Sequence, residues 1–414
     1  MKKRINWLYP LLFLAFFDLH ALNPILPSFL VSLGSSAAML GFILSGYSAA
    51  SMGGNIVAGP LIDRFGSKPF IVISLLLAGL LLFLQGLVAD LAVVFSLRLT
   101  TGFAIAFLTP ACFALLGKQG EGIEEQGRIM AKNGMMLTLA SLISPLVGGV
   151  LADKFGFNVT FWILGTVLVF GAFIGWQCVE GERTAALGQR VATTERSLRQ
   201  TPHRKRRNAQ SRRQSLTASD GMRTVAAILT SPALLPALFT ALTTTLGQGI
   251  LMYEVPYTMV QQGESSTATG FLLTMMGLGQ LTTLSQGWLN RYSPYDRCFF
   301  GLLAIAAVFY TLALKLALPL ALLLFLKGAA HGLLFPAKTT IMLGGAGRDR
   351  YGTVFGVHSA LMSSGFVIGP LIAGSLRTLV SPYFVAFLIT MAMIVIFILL
   401  TAKAHIAPVA WRAR

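Results

Sequence analysis

Residues 59–68 read Gly59-Pro60-Leu61-Ile62-Asp63-Arg64-Phe65-Gly66-Ser67-Lys68 and form a short polar stretch between two apolar runs. The runs cover residues 38–61 and 70–89, and each is long enough to cross the ~30 Å hydrocarbon core of a bilayer as a helix. Gly66 permits a tight turn, while Arg64 and Lys68 carry charges that belong at the membrane surface. The stretch therefore predicts two membrane helices joined by a short surface turn.

The composition extends this prediction to the whole chain. Of 414 residues, 55% are hydrophobic and 11% are charged, with a mean hydropathy of +0.73, whereas soluble proteins carry about 25% charged residues. Apolar runs of membrane-spanning length recur along the sequence, so we predict an all-α membrane protein with twelve transmembrane helices. The predicted spans are 7–31, 38–61, 70–89, 91–116, 131–152, 158–178, 230–259, 267–289, 298–317, 318–341, 353–376 and 381–402.

Lysine and arginine residues mark one side of the membrane. They concentrate at both termini, in the central stretch 179–229 and in alternate loops between the spans. The loops of the other side carry only Lys154, Lys315 and Arg377. Because positively charged loops remain in the cytoplasm, we predict a bacterial-type cell (inner) membrane protein with both termini cytoplasmic. The net charge of +17 then reflects membrane topology, and we expect no nucleic-acid partner.

The sequence also divides into two related halves. Residues 144–149 (Ser-Pro-Leu-Val-Gly-Gly) match residues 369–374 (Gly-Pro-Leu-Ile-Ala-Gly), and Gly41 matches Gly270 at nearly the same offset. Such repetition in one order along the chain indicates a duplicated six-helix unit, an arrangement known in transporters. We therefore predict two pseudo-symmetric six-helix bundles, residues 1–178 and residues 230–414.

Residues 179–229 separate the predicted halves. They are polar, rich in Ser, Gln, Thr and Arg, and include the basic run 203–207. A segment of this composition cannot bury enough apolar surface to fold alone, so we predict a cytoplasmic linker. The basic run either orients the linker as a solvated tether or contacts anionic lipid headgroups.

The opening stretch resembles the loop between the second and third helices of the major facilitator superfamily. The matching residues are Gly59, the pair Asp63-Arg64, Gly66 and Lys68. The resemblance implies a transporter whose halves alternate between inward-open and outward-open states, with Asp63 as a cytoplasmic latch at the amino end of a neighbouring helix. The alternative is a turn whose basic residues only anchor the loop. The corresponding stretch of the second half, 287–292, lacks the acid.

Two further motifs resemble proton-coupled exporters of that superfamily. Arg98 with Gly102 resembles the arginine motif of proton-coupled members, and an arginine inside a membrane needs a partner or water. The alternative is an arginine that reaches outward from the helix end. Residues 144–149, in the predicted fifth span, resemble an exporter signature. Their duplicate, residues 369–374 in span 11, suggests a hinge between the halves. The hinge residues are Pro145, Gly148, Gly149, Gly369, Pro370 and Gly374.

Two acids lie well inside predicted spans. Asp18 lies near the midplane of the first span, where burial disfavours the charged form of a carboxyl group, and it is our first candidate for proton coupling, together with Arg98. Glu254 lies nearer the outer face and is a second proton site, a substrate contact or an acid of an external vestibule. Tyr253 and Gln248, in the same span, are candidates for the cavity wall, although interhelical hydrogen bonding also explains Gln248.

Lys327 and His331 lie four residues apart in the tenth span, so they share one helical face. Neither side chain suits a lipid environment, and we predict that both line the central cavity and that Lys327 binds a negative group of the substrate. The competing prediction is an ion pair of Lys327 with Asp18 or Glu254.

The sequence contains no nucleotide-binding loop and no cysteine-histidine metal spacing, so we expect no enzymatic activity, cofactor or bound metal. We predict a monomeric secondary transporter in the lipid bilayer that exports a small molecule in exchange for protons. The substrate class is a drug or a metabolite, for example an amino-acid-like metallophore. The alternative is a proton-coupled symporter that imports an organic anion or other solute. A non-transporting membrane sensor is disfavoured because the latch motif is intact.

Overall fold

The computed structural model describes residues 8–117, 123–179, 225–345 and 351–406, and within these ranges the chain is helical apart from short turns. A short 3-10 helix covers Gly287–Arg291. The helices are α1 (Leu8–Ser32), α2 (Ala37–Phe65), α3 (Ser67–Gln85), α4 (Leu91–Ile105), α5 (Leu108–Gly117), α6 (Ile123–Cys178), α7 (Leu235–Gln261), α8 (Ser266–Leu284), α9 (Pro294–Ala313), α10 (Leu320–Gly345), α11 (Tyr351–Leu376) and α12 (Pro382–Ile406).

Helix α6 contains two membrane spans. Its backbone leaves the helical conformation at Gly156, where φ is 79° and ψ is 167°. Before this residue Gly148 lies against Ala21 of α1, and after it Gly171 lies against Leu14 of the same helix. Two distant parts of α6 thus meet α1 within two helical turns of each other, which requires the chain to turn back at Gly156. This turn separates the predicted fifth and sixth spans.

The described helices supply the twelve predicted spans, since α4 and α5 together form the fourth and α6 provides the fifth and sixth. Hydropathy and length alone identify nine candidates among the described residues. That number is lower because Met135–Cys178 counts once, and because Ser, Thr and Gly residues reduce the hydropathy of α2 and α8. The predicted all-helical membrane fold is confirmed.

Several predicted span boundaries shift because of local capping. Helix α9 begins at Pro294 rather than at residue 298, since the Ser293 hydroxyl accepts a hydrogen bond from the Tyr295 amide (3.3 Å) and proline suits the first helical turn. Helix α7 begins at Leu235 rather than at 230, again with a proline in its first turn. Helix α8 ends at Leu284, five residues before the predicted end, and is followed by the 3-10 helix.

The two halves meet through two equivalent helix pairs. Helix α2 packs on α11, and α8 packs on α6. In each pair a glycine lies against a proline carbonyl, Gly41 against Pro370 and Gly270 against Pro145. Small residues permit this close approach of membrane helices. These four positions are the ones that the sequence repeat equates, so the predicted pseudo-symmetry of the two bundles is confirmed.

Most of the predicted linker 179–229 lies outside the described residues, which resume at residue 225. The assignment of the linker therefore stays a prediction. We call the membrane side at which α1 ends and α2 begins the outer side, following the orientation predicted from the charges.

Candidate functional site

A buried polar cluster occupies the first half. It contains Asp18 of α1, Tyr47 of α2 and Arg98 of α4, and the two charged residues are 6% and 4% exposed. The Arg98 guanidinium carbon lies 4.6 Å from the centroid of the Tyr47 ring, and its charge attracts that of Asp18. Gly102, one turn after Arg98, lies against the Tyr47 carbonyl. The glycine thus allows α4 to approach α2 closely enough to place Arg98 over the ring.

Several atoms of this cluster lack hydrogen-bond partners among the described residues. They are Oδ1 of Asp18 and Nε and Nη1 of Arg98. Asp18 lies ten residues into α1, about 15 Å at 1.5 Å per residue, which is near the middle of a bilayer. A buried carboxyl group with a free oxygen is suited to bind and release a proton. The structure therefore brings Asp18 and Arg98 together, as their candidate roles require, and adds Tyr47, which sequence reasoning missed.

The second half contains a buried lysine at the junction of α7, α8 and α10. Lys327 is 2% exposed, and its Nζ lies 3.6 Å from Sδ of Met276. The Gln248 side-chain amide donates to the same sulfur at 3.6 Å. A thioether is a weak acceptor, so neither contact satisfies its donor well. Two predicted cavity residues, Lys327 and Gln248, thus meet through Met276, which the sequence did not single out.

A second lysine lies on the same face of α10. Lys338 is 2% exposed, and its Nζ lies 3.3 Å from Oγ1 of Thr244 on α7. Lys327, the half-buried His331 and Lys338 are separated by four and then seven positions, a spacing that keeps all three on one face. The sequence contained this signal, because the spacing is visible in it, but only the structure places Lys338 among buried side chains.

Glu254 pairs with Arg377, whereas the competing prediction paired it with Lys327. Both of its carboxylate oxygens accept hydrogen bonds from Nη1 of Arg377, each at 2.9 Å. The Arg377 guanidinium carbon also lies 4.1 Å from the centroid of the Tyr257 ring. The prediction of an ion pair between Lys327 and Glu254 is therefore wrong. The error arose because Arg377, which follows α11, had been assigned to an outer loop, whereas it reaches back to the outer end of α7.

Tyr253 lies in the contact between the two halves. Its hydroxyl donates a 2.7 Å hydrogen bond to the carbonyl oxygen of Ala37, the first residue of α2. Its ring stacks on Tyr257 with 5.6 Å between centroids. Tyr253 was predicted to line the cavity wall. It lies instead in a contact between the halves at the outer side, beside the ion pair of Glu254 and Arg377.

A second inter-half contact at the outer side joins α6 to the first turn of α8. The Asp153 carboxylate accepts hydrogen bonds from the backbone amides of Ser266 (3.0 Å) and Thr267 (2.7 Å). The amino end of a helix carries unpaired amides and partial positive charge, so it favours an anion at this place. Gly149, one turn before Asp153, lies directly against the Ser266 carbonyl, and a larger residue there would hold the two helices apart.

The sequence around Asp153 repeats the sequence around Asp63. Residues 59–66 read Gly-Pro-Leu-Ile-Asp-Arg-Phe-Gly, and residues 149–156 read Gly-Val-Leu-Ala-Asp-Lys-Phe-Gly. The closing glycines adopt the same unusual conformation, with φ 88° and ψ 162° at Gly66 and φ 79° and ψ 167° at Gly156. The two segments lie at opposite sides of the membrane. This match is a signal that the sequence analysis overlooked.

The predicted gating motif is described only in part. The contacts of Gly59 and the side chain of Asp63 lie outside the described portion, so the latch role of Asp63 stays a prediction. Arg64 is exposed at the end of α2, and Lys68 is half-buried in the first turn of α3. Gly66 supplies the turn between these helices, as its conformation requires.

The predicted hinge glycines lie at close contacts between helix backbones. Gly148 faces α1, Gly374 faces the Ala37 carbonyl of α2, and Gly369 faces α7 at Leu246. A Cβ atom at any of these positions would overlap a backbone atom. The motifs thus mark tight helix contacts within and between the halves, whereas a hinge motion at Pro145 and Pro370 stays a prediction.

Comparison with known proteins places this architecture in a family. The model of the Major Facilitator Superfamily matches residues 8–315 and 237–412. YuxJ of Bacillus subtilis (strain 168), an uncharacterized MFS-type transporter, is 29% identical over 327 residues, which cover 76% of each chain. The multidrug resistance protein MdtG of Escherichia coli (strain SMS-3-5 / SECEC) is 25% identical over 379 residues, covering 85% of this chain and 82% of MdtG.

Solved structures show the same fold at low identity. A mutant of the peptide transporter POT in complex with sulfate superposes with a TM-score of 0.72 at 16% identity, covering 97% of this chain and 94% of that one. A mutant of the nucleoside transporter NupG gives a TM-score of 0.70 at 15% identity, with 96% and 99% coverage. With the family match over nearly the whole sequence, the chain belongs to the Major Facilitator Superfamily and is a membrane transporter.

Proposed function

We propose that this transporter exports a small organic molecule carrying a negative group, in exchange for protons that bind at Asp18. The observation that carries the proposal is the buried Asp18 beside Arg98, with one carboxylate oxygen that has no hydrogen-bond partner among the described residues. The similarity to MdtG, a multidrug resistance protein, supports the direction of transport. The negative group of the substrate follows from the buried Lys327, which no carboxylate contacts within the described part of the chain.

The position of Asp18 explains how a proton would affect both halves. Helix α1 packs within the first half and also contacts α7 and α8 of the second half. Proton binding changes the charge of Asp18 and therefore its attraction to Arg98. Helix α1 touches both halves, so a change of charge on it biases the equilibrium between two arrangements of the halves. This requires that the charge of Asp18 interacts differently with its surroundings in the two arrangements.

We further infer that the repeated segments act as opposing latches. Asp153 holds the outer side closed by binding the amino end of α8. By the repeat, Asp63 at the end of α2 would bind the amino end of α11 when the cytoplasmic side closes, because α11 packs on α2 as α8 packs on α6. Each latch would be engaged in one state and released in the other.

Transport in inside-out membrane vesicles tests the proposed function. Respiration acidifies the vesicle interior, so an exporter that exchanges its substrate for protons accumulates the substrate inside. We expect accumulation of anionic or zwitterionic members of a panel of organic compounds, and its loss when a protonophore collapses the gradient. Accumulation driven only by the opposite gradient would instead indicate a symporter, and the absence of gradient-dependent movement for every compound would refute proton-coupled transport.

The Asp63→Ala variant is expected to open less often to the outside, because its cytoplasmic latch is lost. The reporter is a cysteine placed at Ser28, which is 7% exposed on α1 near the outer contact, in a background with Cys112, Cys178 and Cys298 changed to alanine. Labelling by a membrane-impermeant maleimide from outside should fall several-fold. The Asp296→Asn variant removes an acid near the start of α9 and serves as the control; equal labelling in both variants would contradict the latch role.

The Lys327→Gln variant is expected to lose transport of anionic substrates at least tenfold while transport of neutral ones is retained, because the ligand supplies the negative partner. The control is Lys315→Gln, which removes an exposed lysine between α9 and α10. If Asp18 were the partner instead, Lys327→Gln would impair all substrates, and combining it with Asp18→Asn would restore part of the activity. Such a rescue would contradict the ligand role of Lys327.

A further inference from the structure

Lys338 is a second buried cation on the face of α10 that carries Lys327. The two residues are eleven positions apart, which is three turns of the helix, and His331 lies between them on the same face. Side chains of a helix lean toward its amino end, so the Lys338 side chain is directed back toward Lys327. The two positive charges are close enough to repel each other.

The two ammonium groups lie at the junction of α10 with α7 and α8. Nζ of Lys338 lies on Thr244 of α7, and Nζ of Lys327 lies on the sulfur of Met276 of α8, to which Gln248 of α7 also donates. This junction thus presents two buried cationic points.

Neither lysine has its hydrogen-bonding capacity filled. An ammonium group has three donors, and within the described part of the chain each lysine makes one contact with a neutral acceptor, at 3.3 Å or 3.6 Å. The acids of the described spans are engaged elsewhere, with Glu254 bound by Arg377 and Asp18 beside Arg98. Within the described part of the chain, neither cation thus has a negative partner, and an anion from outside the protein could supply one.

We propose that the substrate is an organic dianion whose two separated negative groups bind Lys327 and Lys338. The proposal rests on the proposed function, in which Lys327 binds the first negative group, and adds Lys338 as the residue that selects a second. Binding would exchange two long contacts with neutral acceptors for charge-assisted hydrogen bonds, which are shorter and stronger. A monoanion can satisfy only one of the two lysines.

Three aromatic acids that share one benzene ring test this inference with the purified full-length protein in lipid nanodiscs. Benzoate carries one carboxylate, phthalate carries two on adjacent ring carbons, and terephthalate carries two at opposite ends of the ring. Thermal unfolding is measured with each acid at matched ionic strength, since a ligand that binds the folded state raises the midpoint. We expect terephthalate to bind at least tenfold more tightly than benzoate and more tightly than phthalate.

Variants assign this difference to Lys338. Lys338→Gln should weaken terephthalate binding at least tenfold and bring it to the level of benzoate, while Lys338→Arg retains the preference and Lys315→Gln behaves as wild type. Lys338→Met keeps a long buried side chain without its charge and should give the same loss, which provides a second variant if Lys338→Gln does not fold. A Lys338→Met protein that still prefers terephthalate to benzoate would overturn the inference.

The outcomes separate this inference from the function on which it rests. Equal binding of benzoate, phthalate and terephthalate by the wild type overturns the two-point site but leaves an anionic substrate in place. Binding of none of the three acids overturns both. Because the measurement uses no proton gradient, a failure of proton-driven export does not change the expected order of the three acids.

Discussion

The Asp18→Asn variant is expected to bind substrate with nearly wild-type affinity and to lose gradient-driven transport down to the level of empty vesicles. Asparagine has the shape of the protonated acid, so the cluster with Tyr47 and Arg98 should still form. It cannot release a proton, however, and the change of charge that couples the gradient to the two halves disappears. The loss should therefore appear in active transport and not in binding.

Reconstituted vesicles with an imposed pH gradient measure the two properties separately. Uptake against a concentration gradient reports coupling, and exchange of labelled for unlabelled substrate at equal concentrations reports binding and alternation without a gradient. Asp18→Glu keeps a titratable group and should retain part of the uptake. Asp90→Asn, which changes an exposed acid at the start of α4, is the matched control. Full uptake by Asp18→Asn at neutral pH would remove Asp18 as the coupling residue.

The Asp153→Asn variant is expected to open toward the outer side more often, by about tenfold or more. The carboxylate accepts two hydrogen bonds from the amino end of α8, and a hydrogen bond to a charged group contributes about 1.5–3 kcal/mol. Asparagine removes the charge and turns one acceptor into a donor, which faces an amide that also donates. A loss of 1.4 kcal/mol corresponds to a factor of ten in an equilibrium constant.

The cysteine at position 28 reports this change as well. Labelling from outside should rise in Asp153→Asn and fall in Asp63→Ala, since the two latches hold opposite sides. Lys154→Gln alters the charge of the adjacent, exposed residue and should leave labelling unchanged. Labelling of Asp153→Asn at the wild-type rate would contradict the latch. A change of the same sign in both latch variants would show that the two segments do not oppose each other.

Local features of the sequence were sufficient to predict the membrane helices but not the residues at which these helices begin and end. The apolar runs predicted all twelve spans because backbone groups inside a bilayer must be satisfied within helices. The starts of α7 and α9 differed by several residues, since prolines and a serine cap at these places act more strongly than hydropathy. The equivalence of Gly41 with Gly270 and of Pro145 with Pro370 was also readable, because duplicated helices make duplicated contacts.

The hydrogen-bond and ion-pair partners of the charged residues could not be predicted from local sequence features. Glu254 and Arg377 lie far apart in sequence, and Arg377 looked like a loop residue because it follows the last apolar stretch of α11. Asp153 looked like the end of a span, although its carboxylate binds a helix of the other half. Two residues offered a usable sign: Lys338 by its spacing from Lys327 and His331, and Asp153 by the match of residues 149–156 to residues 59–66.

Four features were therefore readable from the residues alone: the membrane class, the number of spans, the two related halves, and Asp18, Arg98 and Lys327 as charges that need partners. These follow from the cost of placing polar groups in hydrocarbon, which acts on each residue where it stands. The tertiary structure alone decided that Glu254 binds Arg377 and that Asp153 joins the halves. Such pairings depend on how helices rotate and pack against one another, and close contacts at glycines distant in sequence set that packing.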